Sequence, residues 1–178
     1  MSPIERRQKL LEVLNLRRQD MVRPHVLHLM RGQVFDIGGL IWFTMGGAAS
    51  HDIEDGILDP AEPDFERKYW RMRRMNALFR VLGHSWWPEE MPNEAEYAEA
   101  EASLDRVGWR VDCVVTHCAP TSVTKALDPY YHADRLTDFL ETVRRRCRFS
   151  WWFCGHYHVN QIIDERFVIQ WEQISEID

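Results

Sequence analysis

Residues 152–160 read WFCGHYHVN: an apolar, aromatic run closes on a glycine and then presents two histidines, His156 and His158, one residue apart. The segment SWWFC has the composition of a buried strand, so these histidines stand where a strand ends. A second stretch does the same. RVDCVVTHCAP, residues 110–120, gives a short apolar strand from Val111 to Thr116 that ends at His117. In α/β sheets, sites gather beyond the carboxyl ends of strands, where loops present side chains into a crevice. Neutral imidazole is a common ligand for Zn, Mn, Fe or Ni. A glycine before His156 predicts a sharp backbone turn that lets both rings approach one small volume. One histidine after a strand is usually a satisfied structural group; histidines at two strand ends point to metal. His25, His28, His51, His84 and His132 lack that context and read as surface or satisfied polar groups.

Outward from these strands, QVFDIGGLIWFTMGG (33–47) reads as two strands joined at Gly38-Gly39, a hairpin. Residues 46–63 are rich in turn formers and read as a long loop. Residues 64–82 predict a helix with Tyr69, Met72, Leu78, Phe79 and Leu82 facing inward. Asn93 followed by Glu96 predicts a capped helix start, and Gly108 its end. Residues 133–147 carry Leu136, Phe139, Leu140, Val143 and Cys147 at the spacing of a helix packed on a sheet. NQIID, a turn at Glu165-Arg166, and FVIQWEQI read as a closing hairpin, and residues 3–19 as a short amphipathic helix. Trp86 and Trp87, before Pro88, read as packing groups rather than a substrate lid. Helices alternating with short apolar strands give the fold class α/β.

The chain has 178 residues, 45% of them hydrophobic, as expected of one globular domain. Mean hydropathy is −0.43, and no window approaches the roughly 18 apolar residues that span a membrane. The N-terminal segment lacks the apolar core and cleavage site of a secretory signal, so the expected location is cytoplasmic. Cys113, Cys118, Cys147 and Cys154 have no paired spacing and read as free thiols. Net charge is −6 with scattered basic residues, which argues against nucleic acid as a partner. The RRRCR run at 144–148 reads as a solvated helix end, and eight tryptophans predict a substantial core.

THCAP followed by GHYH resembles the fourth and fifth motifs of the calcineurin-like metallophosphoesterases. RPHVLHLMRGQVF, GGAASHD, SWWPEEMP and ERFVIQWEQI resemble a small bacterial or phage-type branch of that family, over residues 22–178. The resemblance implies a partial α/β/β/α sandwich and hydrolysis of a small phosphoester by two divalent metals roughly 3.5–4 Å apart. It further implies that His117 and His156 bind one metal and His158 the other, with Tyr157 as a spacer lining the rim. The loop carrying His51 and Asp52 would be a substrate rim.

The family's first half is missing from this sequence. No aspartate is followed two positions later by histidine, and neither GD nor GNH occurs. Those motifs would supply the bridging aspartate, the other ligands and the histidine that protonates the leaving group. The chain therefore reads as the C-terminal portion of such a domain, truncated or decayed, with residues 1–21 outside the resemblance. The expectation is weak binding of a single divalent ion and little hydrolysis. Asp36, Asp52 and Asp55 are the nearest substitutes for the lost carboxylates. Absent strands would also expose sheet edge and apolar face, so a homodimer or a partner subunit is expected to cover them.

Three rivals test the same residues. A cysteine phosphatase needs an arginine six residues after Cys118, where Thr124 stands; a histidine-triad hydrolase needs a third histidine where Asn160 stands. A structural zinc site built on Cys113, Cys118, Cys154 and the histidines stays open as an alternative, although it lacks the close cysteine pairs that mark such sites. The non-enzyme alternative is an inactive metallophosphoesterase remnant that serves as an interaction module.

Overall fold

The computed structural model describes residues 21–23 and 26–174, with side chains from residue 28 onward. The expected helix over 3–19 lies outside the described residues. The chain divides into two compact units, residues 48–91 and the remainder.

In the larger unit the hairpin forms as expected. Strand β3 (Gln33–Ile37) pairs antiparallel with β4 (Leu40–Met45). Gly38 and Gly39 both adopt positive φ, 67° and 84°, which matches the twist that a two-residue hairpin requires. From β4 the sheet continues through β7 (Cys113–Thr116), β8 (Trp151–Cys154) and β10 (Phe167–Ile169), all parallel. Strand β9 (Gln161–Ile163) closes the far edge antiparallel to β10. The result is a six-stranded sheet, β3-β4-β7-β8-β10-β9, whose four inner strands run the same way. A separate antiparallel pair, β1 (Met21–Arg23) and β2 (Val26–Leu27), was not anticipated.

Pairing registers Phe43 with Val114, Val114 with Trp152, and Trp152 with Phe167, one row of side chains across one face. All four are fully buried. Each such side chain contributes about 1.5–3 kcal/mol of apolar burial. Helix α2 (Glu94–Arg106) starts on the expected Asn93–Glu96 capping box. Helix α4 (Arg135–Arg146) buries Leu136, Leu140 and Val143 and holds the Arg144 guanidinium over Phe167, so it lies on this face. The opposite face carries Cys113, Phe153 and Val168, with Trp42, Val115 and Trp151 half-buried beside them. The arginines of 144–146 occupy the last turn of α4, where cations suit the helix dipole.

Several readings need correction. Residues 121–127, after Pro120, form a further helix, α3 (Thr121–Leu127), that the hydrophobic pattern did not reveal. In the unit of residues 48–91, the expected single helix over 64–82 ends early. Helix α1 (Phe65–Arg74) stops before Asn76, which takes a left-handed φ of 52°. The chain then enters strand β6 (Phe79–Val81), parallel to β5 (Gly56–Leu58) within the supposed loop. Leu78 is consequently 47% exposed rather than inward. Trp87 is 45% exposed, so it does not pack as expected. Among the described residues no helix is long and apolar enough to cross a membrane.

Candidate metal centre

The four parallel strands end at one edge, and the histidines occupy the loops there. His117 directly follows β7, and Gly155-His156 directly follow β8. The Gly155 amide donates to the His117 carbonyl at 3.1 Å, tying the two strand ends together. As a result the His156 Nδ1 and the His117 Nε2 face each other at 3.3 Å, with ring centroids 5.0 Å apart.

The turn that achieves this is not made by glycine. Gly155 has no positive φ; His156 and His158 do, at 70° and 51°. The Tyr157 amide donates to the Gly155 carbonyl at 2.8 Å, so His156 is the centre of a γ-turn in its rarer, strained form. Strain of this kind costs about 1–3 kcal/mol and persists where the surroundings enforce it. Tyr157 supplies that enforcement: its hydroxyl accepts from the Ala119 amide at 2.9 Å and lies 3.0 Å from Thr124 Oγ1.

His158 goes elsewhere. Its ring stacks on Trp171, with centroids 5.4 Å apart and planes 18° from parallel. Asn160 Oδ1 accepts from the Trp171 amide at 2.8 Å and fixes that loop to the segment after β10. His158 still acts on His117 electrostatically: partial withdrawal from water first, and the His158 charge second, lower the His117 pKa. A lowered pKa keeps the His117 imidazole neutral, the state that ligates metal.

Among the described residues, no group of three or more His, Cys, Asp or Glu side chains is arranged to hold a metal ion. The acids considered as substitutes have local roles. Asp36 caps the hairpin turn through the Gly39 amide at 3.2 Å, beside the start of β4 rather than its carboxyl end. Asp55 accepts from the Leu78 amide at 2.8 Å, and Asp52 is ion-paired with Arg80. His51 and Asp52 belong to the unit of residues 48–91, whereas Tyr157 belongs to the other. All four cysteines are buried and unbridged, and burial raises Cys118 and Cys154 to about 12, far from thiolate ligands or nucleophiles.

The arrangement suits one ion. Two nitrogens bound to a single tetrahedral ion at about 2.0–2.1 Å lie about 3.3 Å apart. The His117–His156 separation of 3.3 Å equals that span; with no ion bound the same two nitrogens form a hydrogen bond, one ring donating to the other. For two ions the described residues offer no group of three or more ligating side chains. Thr124 braces Tyr157 beside this site and Trp171 holds His158, yet sequence reasoning missed both. Thr124 stood in a helix that was not seen, and Trp171 was read as a continuation of a strand that ends at Ile169. Comparison with protein-family models, with curated proteins and with solved structures gives no match.

Proposed function

We propose that the chain is of metal-dependent phosphoester hydrolase lineage, a partial metallophosphoesterase sandwich whose His117 and His156 grip one divalent ion. The observation that carries this reading is the 3.3 Å between their facing nitrogens at the carboxyl edge of the parallel sheet. The THCAP and GHYH motifs supply the chemical class, and Mn, Fe, Zn or Ni the candidate ions. Such an ion polarises a phosphoryl oxygen. The chain's own residues hold and orient it: Tyr157 fixes the loop, and His117 stays neutral. With two imidazoles and, among the described residues, no group of three or more ligating side chains, binding is weak and hydrolysis by this chain is slow.

The second reading, an inactive remnant serving as an interaction module, is favoured by the lack of a three-ligand group among the described residues. A second copy or a partner subunit over edge strand β9, where Ile162 is 60% exposed, belongs to either reading. The buried free thiols fit a reducing compartment such as the cytoplasm.

The test is hydrolysis of bis-p-nitrophenyl phosphate with Mn²⁺ or Ni²⁺, alongside calorimetric titration of the same ions. The hydrolase reading expects metal-dependent turnover that disappears in His156→Ala. Ion binding without turnover above blank establishes the remnant instead, and absence of both overturns the metal site.

A further inference from the structure

The unit of residues 48–91 contains a cleft that the metal centre does not explain. Helix α1 carries Phe65, Tyr69 and Arg73 at four-residue spacing, so all three share one helix face. No residue of α1 is buried, and its aromatic side is left half-exposed. Opposite stand β6 and the turn that follows it. Between them lies a cavity of about 580 Å³. That falls within the range of about 300–1,000 Å³ typical of small-molecule sites.

Its lining has two chemistries. Phe65, Tyr69 and Phe79 form a continuous aromatic wall, with Tyr69 5.8 Å from Phe65 and 5.6 Å from Phe79 between ring centroids. Arg73 and Arg80 supply the cationic part, His84 lines the cleft beside them, and Asp52 is the single carboxylate among the lining residues. Asp52 is engaged by Arg80. Arg73 has no ion-pair partner among the described residues, so the cleft keeps a guanidinium without its counter-charge. A planar guanidinium binds phosphate oxygens through two parallel N–H donors, and aromatic faces accept flat rings.

We propose that this cleft binds an aromatic phosphate of mononucleotide size, with its ring against Tyr69 and Phe79 and its phosphate on Arg73. The site is independent of the histidine pair and needs no metal. Neither half of such a ligand suffices alone, because ring and anion meet different walls.

The test is calorimetric titration of the full chain with adenosine 5′-monophosphate in the presence of a chelator, which keeps the histidine edge free of ions. Adenosine and inorganic phosphate serve as the two half-ligands. The monophosphate is expected to bind at least tenfold more tightly than either. Arg73→Gln, on the exposed helix surface and compatible with folding, should weaken it at least tenfold; His156→Ala should leave it unchanged. Binding no tighter than that of the half-ligands, or unaffected by Arg73→Gln, overturns the proposal. So does binding lost in His156→Ala, which would locate the phosphate at the histidines.

Discussion

Tyr157 holds the backbone amide of Ala119 at 2.9 Å, so the residue between two histidines is bonded to the turn that follows the third. Thr124 has a single hydroxyl proton, and the Pro120 carbonyl lies 3.0 Å from its oxygen. With that proton directed to Pro120, the Tyr157 phenol donates to Thr124 Oγ1. Burial pushes the phenol pKa further above its ordinary value, so the donor stays protonated. Tyr157→Phe removes this link and leaves the Ala119 amide unpaired. The expected loss of stability is about 1–3 kcal/mol, read by urea unfolding. Loss of a residue that orients metal ligands typically weakens the metal about 10- to 100-fold. Calorimetry should therefore show Ni²⁺ binding at least tenfold weaker in Tyr157→Phe; unchanged affinity would mean that the histidine pair is positioned without it.

Acid should destabilise the fold partly through His117. Its folded-state pKa lies below the ordinary 6.5, because its partial burial and then His158 disfavour the charged ring. Between the two values the unfolded chain binds more protons than the folded one, so stability falls as pH falls. The contribution is fully present above about 6.5 and is lost as pH drops through the folded-state value. With a chelator present, His117→Gln should show a shallower loss of urea midpoint between pH 7 and pH 5 than the parent chain. Equal slopes would show that His117 does not titrate in this window.

The features that were legible in the sequence are those fixed by near neighbours. Asn93 and Glu96 satisfy each other's amides at 2.9–3.0 Å whatever the rest of the chain does, so their spacing alone predicts the start of α2. Gly38-Gly39 likewise dictates its own hairpin. His117 and His156 were recognisable because an apolar run ends directly before each. The stacking of His158 on Trp171 depends instead on where β10 brings a distant residue, which no local pattern encodes. Strand β6 was hidden for another reason: Leu78, Phe79 and Leu82 continue the helical spacing of α1, and the left-handed break at Asn76 was the one local signal of its end.

The cysteines should be chemically silent in the folded chain. Burial raises Cys147 to about 11 and Cys118 and Cys154 to about 12, and Cys113 is raised as well. The Cys118 thiol also donates to the Gly47 carbonyl at 3.4 Å. Since the thiolate is the reactive species, a thiol with a pKa near 12 is only about one part in ten thousand ionised at pH 8. Iodoacetamide at pH 8 should leave the native chain unlabelled by mass spectrometry and add four groups after unfolding. Rapid labelling of Cys118 in the native state would mean that the turn after His117 opens.

Gly32 and Gly38 allow the cost of a close backbone approach to be separated from that of a left-handed conformation. Both have positive φ, 77° and 67°. A methyl group added at Gly38 meets nothing within 4 Å, whereas one at Gly32 meets the Glu96 carbonyl oxygen at 2.8 Å and the Ala100 nitrogen at 3.2 Å, both backbone atoms of α2. Gly38→Ala should therefore cost the left-handed penalty alone, about 1–2 kcal/mol. Gly32→Ala carries the same penalty and must also push α2 away from the segment that enters β3. That second contribution is an overpacking cost of about 1–3 kcal/mol. Urea unfolding of the two variants should thus rank Gly32→Ala as the more damaging by at least 1 kcal/mol, within the expected overpacking cost. Similar losses in both would show that α2 yields freely, and the approach of α2 to Gly32 would then contribute little to the rigidity of the sheet edge it covers.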